Sequence, residues 1–192
     1  MKRPVFLFFI LASCDTGEFI LEEFSFGPGS RWEYEHRIRK EFGDSIYIKI
    51  KTQYWKMGNP LPLGEYIAYP LSITEDTLSC TLWYAVEDSG MFLLKTTGNA
   101  YFPGFKDTII PLLAVPLPLY PGTTWNYGGV IREAERVEYI STTAGLLSAI
   151  RIKNGENWWT WIADIGLVKD SSHLEGEGWS YDEVLFLEYF SY

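Results

Sequence analysis

The chain has 192 residues and a formal net charge of −9 at neutral pH. That length supports one domain, or two small ones, with enough chain for a sizeable core. The acidic balance argues against nucleic acid, and against anionic lipid headgroups, as direct surface partners. Eight Trp, thirteen Tyr and twelve Phe favour strands, apolar cavities and sugar-stacking platforms.

The chain begins with a short positive segment, Met1-Lys2-Arg3, followed by the apolar run Val-Phe-Leu-Phe-Phe-Ile-Leu-Ala over residues 5–12. A charged start, a short apolar run and small residues at a cut form the pattern of an export signal. The run is well short of the ~20 apolar residues a spanning helix needs. It stops at Leu11-Ala12-Ser13-Cys14, which resembles the lipobox of bacterial lipoproteins. The resemblance implies cleavage between Ser13 and Cys14 and acylation of the Cys14 thiol. Several acyl chains give stable membrane anchoring, whereas one gives marginal binding. Asp15 resembles the residue that holds some enteric lipoproteins at the inner membrane, but that rule is not general, so the choice of membrane stays open. Removing 13 of the 192 residues leaves 179, and losing Lys2 and Arg3 takes the charge from −9 to −11. With Cys14 acylated, Cys80 has no partner and no disulfide is expected. Cys80 alternates with Leu78, Leu82 and Tyr84 and reads as a buried, inert thiol.

Residues 14–27 read as a lipidated tether and first element, with Phe24 and Phe26 able to face the core. Residues 31–42 give the clearest strand. Trp32, Tyr34, His36, Ile38 and Phe42 share one face, and charged residues share the other. After the turn at Gly43-Asp44, residues 45–55 return with Ile46, Ile48, Ile50 and Tyr54 on one face, making a long hairpin. A loop at 57–64 precedes strands near 65–73, 77–86 and 91–97. Residues 98–119, with Pro103, Pro111, Pro116 and Pro118, read as an extended connection. Further strands are expected near 124–132, 136–140, 146–153, 158–163 and 167–171. An acidic, Gly-rich loop follows at 173–178, and a last strand, apolar on both faces, at 181–192. No helical period persists over three turns, although a short helix could sit in 106–113 or 142–149. These signals predict a mainly all-β fold: an antiparallel meander curled into a barrel, half-barrel or sandwich.

Two blocks recur in order. Pro28-Gly29-Ser30-Arg31-Trp32-Glu33-Tyr34 returns as Pro121-Gly122-Thr123-Thr124-Trp125-Asn126-Tyr127. The pattern W-x-x-[VI]-x-D-x-G-[ML] starts at Trp83 and again at Trp159. Pro-Gly suits the centre of a type II turn, and Asp-x-Gly suits a turn between strands. Residues 28–192 therefore read as one β-rich domain with two related halves, 28–97 and 121–170, joined by the Pro-rich connection. The first half carries extra residues, placed around the 57–64 loop.

The second half resembles exported bacterial envelope proteins with curved β-sheets, similar to periplasmic lipoprotein carriers. The likeness rests on Pro118 to Tyr127 (P-L-x-x-G-x-x-W-x-Y), on Ala144 to Ile152 (A-G-x-x-x-A-I-x-I), and on the run from Trp159 to Gly166-Leu167-Val168-Lys169. It covers roughly 50 residues and implies a structural likeness with no catalytic residues.

The chemistry legible in the chain is sparse. His36 and His173 are far apart, with no His/Cys cluster at metal-ligand spacing. No phosphate-binding Gly loop and no G-x-S-x-G occur. Asp88 and Asp164 recur in the repeated block and are the best carboxylate pair for hydrolysis, but turn capping explains them more simply. No catalytic residue, metal or cofactor is assigned, and the chain is not expected to be an enzyme. For binding, Trp32, Tyr34, His36, Trp125, Tyr127, Trp159 and Trp161 are the candidate lining residues. In the run Trp158 to Trp161, Trp159 and Trp161 share one face and Trp158 takes the other. Two functions remain. One is a membrane-anchored lipoprotein in the cell envelope, its domain in the periplasm or at the surface, holding an apolar or lipid-like ligand or meeting an envelope protein. The other is a carbohydrate-binding or surface interaction module that uses exposed aromatics.

Overall fold

A computed structural model describes residues 19–98, 111–143 and 145–192. The Leu11–Cys14 motif and most of the Pro-rich connection lie outside the described residues.

The first strands are β1 (Arg31–Phe42), β2 (Ser45–Met57), β3 (Leu61–Leu63), β4 (Tyr66–Glu75), β5 (Leu78–Glu87), β6 (Gly90–Gly98) and β7 (Leu112–Pro116). They are followed by β8 (Thr124–Tyr127), β9 (Val130–Thr142), β10 (Gly145–Asn154), β11 (Trp158–Ala163), β12 (Gly166–Gly176) and β13 (Trp179–Ser191). The fold is all-β. Twelve strands form one antiparallel sheet, in the order β7-β6-β5-β4-β2-β1-β13-β12-β11-β10-β9-β8, and β3 pairs with β4 off that path. Omitting β3, this is two consecutive six-strand meanders, joined where β1 pairs β13. The sheet curls nearly closed into a barrel, with β7 and β8 approaching across the open seam. A bridge between Leu21 and Leu119, with backbone bonds of 2.9 and 2.8 Å, brings the N-terminal segment and the stretch after β7 together.

The two Pro-Gly corners have matching geometry. Gly29 and Gly122 take φ of +97° and +93°, the left-handed region that favours Gly. Ser30 N–H donates to the Gly27 carbonyl as Thr123 N–H donates to that of Tyr120, each at 3.1 Å. Gly29 N–H donates to Met57 at 3.0 Å, and Gly122 N–H to Ala134 at 2.7 Å.

The strand at 31–42 follows its pattern, and its inward face buries Trp32, Tyr34 and His36. Farther along, that face emerges into solvent. Phe42 is exposed, because the β1–β2 hairpin outgrows the barrel: β4 pairs with β2 only over residues 54–57 of β2. The apolar face of β2 points outward. Ile46, Ile48 and Ile50 are 60%, 57% and 55% exposed, opposite Glu41, Arg39 and Arg37. Alternation separates two faces but does not say which one is inside. The inward positions of β2 are Lys49, Lys51 and Gln53, paired with Ile38, His36 and Tyr34.

Other boundaries moved for local reasons. Gly128-Gly129 forms a two-residue hairpin turn that splits the expected 124–132 strand into β8 and β9. The acidic stretch at 173–176 extends β12, and only Glu177-Gly178 turns the chain. Of the two stretches that could hold a short helix, 106–110 lies outside the described residues and Leu112–Pro116 is a strand, and the described residues of 142–149 hold strand and turn. The last strand is partly covered: Leu187 is buried and Tyr189 exposed.

Candidate functional site

The barrel holds a cavity of about 730 Å³ that is partly open to solvent. That size falls in the range of small-molecule sites. Trp32, Tyr34, Trp55, Leu71, Ile73, Leu82 and Tyr84 line it from the first meander. Tyr127, Trp158, Ile162, Leu167 and Leu185 line it from the second. Phe24 and Phe26, ahead of β1, complete the apolar wall.

Two large rings are fastened across the interior. Trp32 Nε1 donates to the Ile165 carbonyl at 2.7 Å, and Tyr34 Oη donates to the Leu167 carbonyl at 2.8 Å. Both bonds reach from β1 past β13 to the β11–β12 corner. Trp32 also packs edge-on against Phe26, with ring centres 5.4 Å apart. Burial raises the Tyr34 and Tyr84 phenols above their ordinary range, so both stay neutral.

Among the proposed lining residues, Trp32, Tyr34, His36 and Tyr127 meet at the cavity. Trp125, Trp159 and Trp161 do not line it. Trp125 is buried in a second cluster with Ala134, Ile150 and Ile162. Trp158, Thr160 and Ile162 line the cavity from β11, so period-two alternation turns Trp159 and Trp161 to the opposite face. Trp161 is buried there. Its Nε1 donates to Glu138 at 2.7 Å, and Lys169 lies 4.5 Å from its ring centre. It therefore offers no open platform for a sugar. Cys80 lines the cavity half-buried, and burial pushes its thiol up, away from the reactive thiolate.

A polar network lies at one side of the cavity. His36, 3% exposed, has a carboxylate at each ring nitrogen: Glu75 at 2.5 Å from Nδ1 and Glu183 at 2.7 Å from Nε2. Two carboxylate acceptors favour two N–H donors, so the geometry favours the imidazolium form of His36. The bond to Glu183 raises its pKa most; burial opposes this, and Glu75 adds to the rise. Burial alone would push Glu75 up, but Lys51 Nζ at 2.6 Å, His36 and Gln53 outweigh it and bring its carboxyl below the usual range. Glu183 is lowered first by His36, and Tyr181 Oη donates to it at 2.8 Å. Trp55 Nε1 donates to Gln53 at 2.6 Å, which ties the network to the aromatic wall.

A second polar group lies on the wall made by β9, β11 and β12. Arg132 stacks on Tyr127 with its guanidinium carbon 3.8 Å from the ring centre, and Asp170 accepts from Trp158 Nε1 at 2.7 Å and Thr160 Oγ1 at 2.8 Å. Asp164 serves its turn. One oxygen accepts from Ile165 N–H at 3.0 Å and the other from Ser25 Oγ at 2.9 Å. Its partner in the repeat, Asp88, sits by a different hollow of mixed lining that Glu22, Glu23 and Glu87 also line. His173 pairs with Asp182 at 2.6 Å, remote in bonding from His36. Among the described residues, no group of three or more His, Cys, Asp or Glu is placed to hold a metal ion.

No protein-family model matches the chain, and no curated protein matches it. Among solved structures, it is similar to a protein of Bacteroides fragilis described as exported and as having a YmcC-like fold. The identity is 12%, over 91% of this chain and 100% of that one, with a TM-score of 0.47. It is also similar to a DUF1329 family protein of Desulfovibrio piger, at 11% identity over 86% of each chain and a TM-score of 0.28. Neither likeness is strong enough to assign a shared fold.

Proposed function

We propose that the chain is a lipid-anchored bacterial envelope protein whose β domain holds an apolar or lipid-like ligand non-covalently inside the barrel. The observation that carries this reading is the cavity of about 730 Å³, walled by aromatic and aliphatic side chains and set with a few polar groups. Natural cores close-pack, and voids larger than a water molecule are few. A space of this size in a domain so rich in Trp and Tyr is better suited to a guest than to stability. The anchor rests on the Leu11-Ala12-Ser13-Cys14 pattern. The buried state of Trp161 weighs against the sugar-platform alternative.

N-phenyl-1-naphthylamine, a neutral apolar dye, tests the cavity. The domain is expected to bind it saturably with a fluorescence rise. Ile73→Trp or Leu185→Trp, each placing a large ring into the space, should weaken binding about tenfold or more while the melting transition survives. Undiminished binding in both folded variants would place the dye outside the cavity and overturn the reading.

A further inference from the structure

We propose that Arg132 receives an anionic headgroup, so that the cavity takes a carboxylate- or phosphate-headed amphiphile with its chain against the aromatic wall. This rests on the cavity being a ligand site and adds the chemical class of the ligand. A guanidinium carries five N–H donors in a fixed fork. Among the described residues, only one acceptor meets the Arg132 fork: the Ala114 carbonyl, 3.1 Å from Nη1. Its Nε is buried with no hydrogen-bond partner. Its flat face is held by Tyr127 at 3.8 Å, with Trp158 at 5.7 Å, so the donors point edge-on from a fixed plane.

A partly buried cation on a largely apolar wall with so few acceptors is costly unless an anion meets it. Three carboxylates line the cavity, and among the described residues none forms an ion pair with Arg132: Glu156 makes none, and Asp170 and Glu183 are committed elsewhere. Asp170 acts on Arg132 electrostatically, but its Oδ1 is taken by Trp158 and Thr160, and burial raises its pKa toward the neutral acid. Glu183 is held by His36 and Tyr181. An incoming carboxylate or phosphate would find cationic, pre-oriented donors at Arg132. Bidentate pairing with such a fork is the strongest geometry a guanidinium offers.

The test compares chain-matched probes on the folded domain: palmitate, hexadecyl phosphate and the neutral ester methyl palmitate, each displacing N-phenyl-1-naphthylamine. Palmitate or hexadecyl phosphate should bind at least about tenfold more tightly than the ester, and which of the two is tighter identifies the headgroup. Arg132→Gln should bring that ratio close to one, and Arg132→Lys should retain part of it. Equal binding of acid, phosphate and ester by the unmodified protein would overturn the headgroup inference and leave the apolar cavity standing, and needs no variant to fold. Binding of none of the three, nor of the dye, would remove the ligand reading itself.

Discussion

His36→Leu is expected to destabilise the domain by about 3–5 kcal/mol near pH 5.5, read as a lowered urea midpoint. The imidazolium sits between Glu75 and Glu183, and its loss takes a partner from the buried Glu75 and from the partly exposed Glu183. The effect depends on pH in a defined direction. The folded pKa of His36 is raised above its unfolded value of about 6.5, so its stabilisation is complete below about pH 6.5 and fades as pH climbs through the folded value. The folded pKa values of Glu75 and Glu183 are lowered, so their contribution is present above about pH 4.5 and fades as pH falls through the folded values. Stability should therefore peak between about pH 4.5 and 6.5. His173, exposed and raised by Asp182, acts in the same direction as His36, so the comparison is best made in a His173→Gln background. A cost for His36→Leu that stays constant from pH 5 to pH 9 would contradict an ionised His36.

Cys14→Ser is expected to remove the protein from the membrane fraction and abolish metabolic labelling by a palmitate analogue. The described surface supplies no obvious electrostatic substitute. The chain without residues 1–13 carries a formal charge of −11, which anionic bilayers repel. Two or more acyl chains hold a protein stably, so their loss should be close to complete rather than partial. Undiminished labelling of the Ser variant would sink the assignment of Cys14.

The backbone pattern was legible where one rule governed it. The strand at 31–42 shows uninterrupted alternation and a Pro-Gly corner before it, and it appears with the bounds that pattern implies. The 158–163 strand is likewise bounded by turn residues on both sides. Errors came where two rules met. Gly128-Gly129 is a hairpin signal inside an apolar run, and the run hid it. Ile46, Ile48 and Ile50 satisfy alternation equally well facing out, and only the pairing of His36 with Lys51 shows which side of β2 is inward.

The cavity was half legible. Trp32 and Tyr34 share the inward face of β1 with His36, and period two places them together. Alternation also separates Trp158 from Trp159 and Trp161, but it cannot tell which side faces the barrel. The His36 network was out of reach, because its members lie 39 and 147 residues from His36 and meet only when β4 and β13 are in register. One signal did exist: Glu183 lies on the same face as Leu185, an acid among apolar neighbours. Arg132 gave none, being one of several charged residues at the start of β9.

The most direct measurement is native mass spectrometry of the protein extracted in mild detergent from the cells that make it, with Cys14 unaltered. The expected spectrum contains a population carrying one extra non-covalent mass in the lipid range, lost on collisional activation and absent from the Leu185→Trp variant. A spectrum showing only the chain with its covalent modifications, under conditions where a known lipid-binding protein retains its ligand, would contradict a ligand-holding barrel.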